Sequence, residues 1–590
     1  VVSLPDSVAD TALARLFVGD DPSPHVVWFS LPGGQHLFES GSVADQLYFV
    51  RAGRLGVIRH EEGQERQFLG VIRPGEPAGE MAMLAGGAHS ATVVALRDSE
   101  IMAIPRDDFY RHVDHDPEVM IELARLMIQR TRQTASRAPV GEPSVFGIIG
   151  VGDGAPVRQF AERITDAIEA MGYDCVVMGV EAMAAPTEWF SNVEAEHDFV
   201  IYAAETADEA WRQLVGRQID RLFLLGRGDR TPPERHLIQI PHALERQGLV
   251  DLVLIQRPDA ERPQGSEAWL DAVNTSRLFH VRDGDHADIQ RIARTITGTS
   301  VGLVLSGGGA RAYAHVGAIK ALTEAGTPID FVGGVSMGAI VAAGVAMGWD
   351  QAEMERRIRH AFVDSNPVDD IALPLIAMTR GDKVRARLFE HFGDAQIADL
   401  WLPFFCVSSN LTSGSYQLHR RGSLRDALRA SISLPGVMPP ALQDDNVLVD
   451  GAVMKNFPAD IMRAFHLGPI VGVDVTRGRS ITADDVRSEG VWKWIFSGHW
   501  RRGPPIVSLL IRAATVSSGR DLAASREATD LLVTPKLERV EIRNWQAFDP
   551  AVEAGYRATQ EALARLGKPV VDLRRRESLD EKKIRLAVRR

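Results

Sequence analysis

The chain has 590 residues, more than one hydrophobic core supports, since single cores stop growing at about 250 to 300 residues; at least three domains are expected. With 45% hydrophobic and 24% charged residues it has the composition of a folded globular protein, which excludes a disordered chain and a membrane bundle. A formal net charge of −12 argues against a general nucleic-acid-binding protein, which needs a basic face to displace counterions from phosphates, so no nucleic-acid partner is expected.

The opening VVSLPDSVADTALARLF lacks the charged and apolar regions of a signal peptide, and no stretch approaches the ~18–20 uninterrupted apolar residues of a membrane span. A cytoplasmic chain is expected, peripheral on a membrane at most, with an upstream anchor left open. Cys175 and Cys406 both lie in apolar runs, DCVV and FFCVSS, which speaks against a disulfide framework or a cysteine-ligated zinc site. No metal and no cofactor are expected.

From Val26 to Pro105 short β-runs (HVVWF, QLYFV, LGVIRH) alternate with glycine-bearing turns, the pattern of a β-roll or jelly roll. The helical repeat PEVMIELARLMIQRTRQTA and the linker RAPVGEPS follow, so a first domain is expected over 1–138. Between 145 and 299 buried strands (VFGIIGV, DCVVMGV, HDFVIYAA, RLFLLG, DLVLIQR) alternate with helices, which predicts a parallel α/β spacer domain. Its first turn, Gly152-Asp153-Gly154, lacks the Lys-Ser pair of a nucleotide loop. A third α/β unit is expected over 300–467, followed by a mainly helical extension over 468–590 with a basic end.

Three elements of the third unit carry chemistry. Gly334-Val335-Ser336-Met337-Gly338 stands between the strand IDFVGG and the helix AIVAAGVAMGW, where flanking glycines let a strained serine point its Oγ out of the sheet. Upstream, Ser306-Gly307-Gly308-Gly309-Ala310-Arg311 joins a strand to a helix so that successive N–H groups can converge on an oxyanion. A phosphate loop or a simple tight turn competes, although neither Gly-Lys-Ser/Thr nor G-x-G-x-x-G spacing is present. In VLVDGAVMKNFPADIM, Asp450-Gly451 follows a short strand and on its own reads as a turn.

In this order GGGAR, GVSMG and DGA resemble the patatin-like phospholipases over roughly 301–463. RASISLPGVMPPAL and KNFPADIM are similar to the neuropathy target esterase branch of that family. The resemblance implies a patatin-like α/β catalytic domain and a serine hydrolase of acyl esters, with lysophospholipids as substrates. It implies a Ser336–Asp450 dyad, an acyl-serine intermediate, Gly334 and Gly338 around the nucleophile, and Gly307, Gly308, Gly309 and Arg311 at the oxyanion hole. Ala312 and Ala452 stand where the family usually has glycine. Two alternatives stay open: a Ser-His-Asp triad esterase using a downstream histidine such as His391 or His419, and a regulatory scaffold. His315, on the helix after the glycine loop, is expected to pack there or to orient that loop rather than to act as a base.

Residues 36–104 resemble a cyclic-nucleotide-binding domain, in which Gly79 and Glu80 open the phosphate-cassette helix and Glu80 holds the ribose. Aligning Ser90-Ala91-Thr92 places His89 where the family has its phosphate-pairing arginine. A histidine lacks the permanent charge and the planar fork of arginine, so a structural or contact role is expected here rather than a working cyclic-nucleotide switch. Trp492, Trp494, Phe496 and Trp500 beside Arg501 and Arg502 suit an anionic membrane interface or packing on the catalytic domain. The basic end, Arg574, Arg575, Arg576, Lys582, Lys583, Arg589 and Arg590, reads as a solvated tail.

Overall fold

The computed structural model describes residues 12–16, 26–59, 67–135, 143–235, 248–365, 370, 376–476, 518–538 and 540–581. The tryptophan-rich segment around Trp492 to Arg502, and Lys582, Lys583, Arg589 and Arg590, lie outside them.

The N-terminal strands are β1 (Val27–Leu31), β2 (His36–Phe38), β3 (Gln46–Ala52), β4 (Leu55–Arg59), β5 (Gln67–Ile72), β6 (Pro77–Ala78), β7 (Thr92–Ala95) and β8 (Ser99–Pro105). They form two antiparallel sheets, ordered β1-β8-β3-β6 and β2-β7-β4-β5, which is the jelly-roll architecture expected from the short alternating runs.

The middle strands β9 (Val145–Gly150), β10 (Cys175–Met178), β11 (Phe199–Ala204), β12 (Arg221–Arg227), β13 (Val250–Gln256) and β14 (Arg277–Arg282) make one parallel sheet, β10-β11-β9-β12-β13-β14. β9, β11 and β13 are buried along their whole length. That is why they read as unbroken apolar runs.

The third sheet is ordered β19-β20-β17-β16-β15-β21-β22, with β18 paired to β17. Its strands are β15 (Gly302–Leu305), β16 (Phe331–Val335), β17 (Phe404–Asn410), β18 (Ser415–His419), β19 (Ala441–Gln443), β20 (Asn446–Asp450), β21 (Ile470–Val473) and β22 (Leu531–Val533). The stretch after 467, read as helical from its sequence, thus supplies two parallel strands, β21 beside β15 and β22 beside β21. Both are only three or four residues long, too short to show periodicity.

The same stretch braces the site. Helix Phe548–Leu566 crosses helix Tyr313–Glu324 so closely that a Cβ on Gly317 would lie 1.9 Å from Val552 O, and one on Gly555 1.9 Å from Ala314 O. Only glycine permits that approach, and it fixes the helix that follows the glycine loop.

The three sheets are tied to one another. Arg54 and Arg97 of the roll reach into the middle unit. Arg54 pairs with Asp220 and donates to Ser144 Oγ at 2.7 Å; Arg97 pairs with Glu194 and donates to Gln218 O at 3.1 Å. On the other side, Phe279 of β14 meets Phe331 of β16 edge-on at 5.7 Å, His280 reaches Ala398 O at 2.7 Å and Arg282 lies 3.5 Å over Trp401. The arginines read as a solvated tail are in part built in. Arg574 pairs with Asp530 at 2.7 Å, and Arg576 donates to Asp198 O at 3.2 Å while lying 4.0 Å over Phe199. Carboxylates and carbonyls more than 40 residues away make these contacts, so composition at the chain end does not reveal them. Among the described residues no helix is long and apolar enough to cross a membrane.

Candidate active site

β16 ends in a turn that only small residues can form. A Cβ on Gly334 would lie 2.7 Å from the Gly338 backbone, and one on Gly338 2.4 Å from Ser306 O. Between them Ser336 takes φ 53°, ψ −130°, a left-handed conformation rare for a side-chain-bearing residue, and helix Met337–Ala346 begins directly after it. The strain is held from outside: the Ser336 N–H donates to Ser431 Oγ at 2.9 Å, and that hydroxyl donates to Val407 O at 2.7 Å.

The elbow points Ser336 Oγ at Asp450, with Oγ donating to Oδ2 at 2.6 Å. Asp450 ends β20, its second oxygen accepts from Ala452 N–H at 2.9 Å, and its own N–H donates to Ser433 O at 2.9 Å. Gly451 is needed because a Cβ there would meet Val407 O at 2.2 Å. Burial pushes the Asp450 carboxyl up to about 6, against the lowering effect of its bonds to Ser336 and Ala452. A carboxylate held there is a stronger base than an ordinary aspartate and is still ionised at neutral pH.

The glycine loop runs alongside. A Cβ on Gly307 would sit 3.2 Å from Ser336 Cβ, one on Gly308 2.5 Å from Val475, and one on Gly309, whose φ is 55°, 2.3 Å from Ile542 O. The four residues taken together as oxyanion donors differ here. Gly307 N–H donates to Asn456 O at 3.2 Å, Arg311 N–H turns back to Gly308 O at 3.2 Å, and Arg311 is buried. Gly308 and Gly309 N–H have no acceptor among the described residues, which leaves those two for a developing negative charge.

His315 is fully buried and pushed down to about 4 by desolvation, so it is neutral; its Nε2 donates to Ser306 O at 2.8 Å and steadies the loop. The histidines considered for a triad lie elsewhere. His419 Nε2 pairs with Ser408 Oγ at 2.8 Å, and His391 ends helix Asp382–Phe392 beside His360 and Glu390. In that last group a ring nitrogen of each histidine and a Glu390 oxygen lie within 4.8 Å of one another, but Arg387 already holds Glu390 at 2.5 Å.

Sequence reasoning missed Ser431 and Asn456. Ser431 stands in the quoted RASISLPG, yet nothing local marks its hydroxyl as the clamp on the nucleophile's backbone. Asn456 holds both ends of Gly307: its carbonyl accepts the Gly307 N–H and its Nδ2 donates to Gly307 O at 3.4 Å.

In the N-terminal roll Gly79 (φ 82°), Glu80 and His89 come together, while Ser90 is exposed. His89 is buried, its ring stacked on Phe38 at 3.7 Å and 12°; a Cβ on Gly79 would touch its Cε1 at 3.1 Å. Desolvation lowers its pKa, so the ring is neutral.

Comparison with known proteins adds three domain matches: "Patatin-like phospholipase" over residues 303–463, "Cyclic nucleotide-binding domain" over 28–116, and "Neuropathy Target Esterase family P-loop like domain" over 144–298. An uncharacterized NTE family protein of Mycobacterium tuberculosis is 31% identical over 552 residues, 90% of this chain and 91% of its own. Patatin-like phospholipase domain-containing protein 6 of Mus musculus is 26% identical over 607 residues, 90% of this chain and 44% of its own. Neuropathy target esterase sws of Drosophila melanogaster is 26% identical over 605 residues, 90% and 42%. The chain therefore spans less than half the length of these animal relatives. Among solved structures, the Thermus thermophilus catabolite activator protein matches 25% of this chain and 61% of its own at 26% identity, with a TM-score of 0.18.

Proposed function

The chain belongs to the NTE family, whose patatin-type domain is that of a lipid ester hydrolase, and on that premise we propose that it deacylates lysophospholipids through a dyad of Ser336 and Asp450. One observation carries the reading: the 2.6 Å bond from Ser336 Oγ to Asp450 Oδ2, formed at a strained elbow beside two uncommitted N–H groups. Asp450 accepts the Ser336 proton as Oγ attacks the ester carbonyl, and Gly308 and Gly309 N–H receive the oxyanion. The proton passes to the leaving alcohol, giving the fully deacylated glycerophosphodiester and an acyl-serine. Water then gives its proton to Asp450 while attacking the acyl carbon, and collapse returns the proton to Ser336 Oγ with release of the fatty acid. No histidine is required.

The test is fatty-acid release from lysophosphatidylcholine, with diacyl phosphatidylcholine and p-nitrophenyl esters in parallel, followed over pH. Because Asp450 must be ionised to act, kcat/KM should be half-maximal near pH 6, fall about tenfold per unit below that, and level off above it. A release that peaks in acid, or none from any of these esters, counts against the dyad.

The N-terminal roll serves as a contact module clamped to the middle unit, because the ring at the phosphate-pairing position is neutral and packed on Phe38. Calorimetry with cyclic AMP and cyclic GMP should show no binding up to about 100 μM; a clean micromolar isotherm would overturn that role. The segment from Trp492 to Arg502 has the aromatic and basic composition of a peripheral membrane contact, and loss of liposome co-sedimentation in a Trp492→Ala/Trp494→Ala variant would support it.

A further inference from the structure

Between the middle and catalytic units lies a cleft of about 170 Å³ that the dyad does not use. On one side it is lined from β14 and the turn before it, including Thr275, Arg277 and Leu278; on the other by Leu402, Arg420 and Phe465 among others. The walls are rich in leucine and phenylalanine, and the charged side chains that line the cleft are all arginines. Arg221 and Arg277 both bind Asp251 with two bonds each, so that one carboxylate carries two guanidiniums. At the rim Arg421 is held by Glu267 and Asp271, at 2.8 and 2.6 Å. His280 is neutral, with its ring nitrogens on Gln256 and Ala398 O.

That leaves Arg420. It makes no ion pair among the described residues, although the Asp251 charge acts on it, and it lies 4.7 Å over the Phe465 ring and donates to Ser276 O. Of the three arginines that line the cleft, Arg420 is the one without an ion pair among the described residues. Beside it Thr275 Oγ1 is shielded from solvent and has no hydrogen-bond partner in the protein. A polar atom left so is costly unless a ligand completes it.

We propose that this cleft binds a small organic oxyanion, a carboxylate or a phosphate monoester on an apolar body, with Arg420 and Thr275 holding the anion and the leucine and phenylalanine walls holding the body. Arginine's planar fork suits either oxyanion, and a cavity of about 150 Å³ is enough for a benzene-sized group. The cleft is also connected to the dyad. Arg420 directly follows His419, whose Nε2 pairs with Ser408 Oγ at 2.8 Å, and Ser408 is the cross-strand partner of Asp450. Occupancy that shifts the β17–β18 hairpin therefore acts two residues from the base. This second part rests on the hydrolase reading; binding itself does not.

Calorimetry on the full chain separates the sources, using octanoate for the carboxylate of a released fatty acid, phenyl phosphate for a phosphate monoester, and inorganic phosphate as the anion without a body. One or both organic probes should bind one per chain at micromolar Kd, with inorganic phosphate at least about tenfold weaker. Thr275→Val is the sharper variant. Its hydroxyl makes no bond within the protein, so a structural role predicts unchanged binding, whereas the ligand role predicts a loss of about five- to tenfold with an unchanged or raised Tm. Arg420→Gln should lose at least about tenfold. At a probe concentration near the native Kd, turnover of p-nitrophenyl butyrate should change in the native protein and clearly less in Thr275→Val. Absence of binding by both organic probes, or full affinity in Thr275→Val, would overturn the site; binding without any effect on turnover would overturn only the coupling.

Discussion

Ser336→Ala should reduce fatty-acid release from lysophosphatidylcholine by about 10⁴-fold or more, and Asp450→Asn by about 10³- to 10⁴-fold, without loss of fold. The first removes the hydroxyl that attacks in the proposed dyad. The second keeps the shape of the base: its carbonyl can still accept from Ala452 N–H and its amide can face Ser336 Oγ, but nothing there takes the proton. His391→Ala and His419→Ala should each stay within about tenfold of the native rate, since neither ring is bonded to Ser336. A triad esterase would reverse this ranking, with one histidine as damaging as the serine. A regulatory scaffold would show little hydrolysis in any form. Rates measured on the four variants with one substrate separate the three readings.

Asp450→Asn should also make the protein more stable at pH 8. A carboxyl whose pKa rises on folding contributes its stability below the unfolded value and loses it as pH climbs through the folded value. Burial holds Asp450 at about 6 against the ordinary 3.8. Above pH 6 the folded state therefore carries a charge that costs it about 3 kcal/mol, an order-of-magnitude figure. A neutral amide of the same shape removes that cost. The transition of the catalytic unit in scanning calorimetry should rise by roughly 5–10 °C at pH 8. The gain should shrink as pH falls through 6 and vanish below about 3, where the native carboxyl is protonated in both states. An unchanged or lowered transition at pH 8 would mean that the carboxylate is not destabilised by its site. The native protein retains this charge at the expense of stability because the base must be ionised to work.

Much of the site was legible because its geometry is local. Gly334, Gly338 and Gly451 are dictated by backbone atoms within van der Waals reach, and Ser336 is strained because it sits on the turn from a strand to a helix, where the structure buries it rather than exposing it. The proposed dyad partner was legible only through the order of three motifs, since Asp450 lies 114 residues from Ser336 and an Asp-Gly pair alone is a turn. What did not show is what depends on distant partners. Ser431 clamps the nucleophile's amide across 95 residues, and Asn456 removes the Gly307 N–H from the oxyanion donors across 149. The same reason hid β21 and β22, whose three or four residues carry no periodicity of their own and are fixed by the neighbours they pair with. The basic end misled for the same reason: Arg576, read as part of a solvated tail, donates to Asp198 O and lies over Phe199. His89 was legible as a departure from arginine, while its stacking on Phe38 was not.

The central claim, that Ser336 is the nucleophile and Asp450 alone activates it, is tested most directly by covalent labelling. The protein is treated with a fluorophosphonate at pH 7.5, digested, and its serines mapped by mass spectrometry. The expected result is a single adduct on the peptide containing Ser336, absent in Ser336→Ala, slowed at least about 10²-fold in Asp450→Asn, and formed at near-native rate in His391→Ala and His419→Ala. An adduct on another serine, or one whose rate depends on either histidine and not on Asp450, would contradict it.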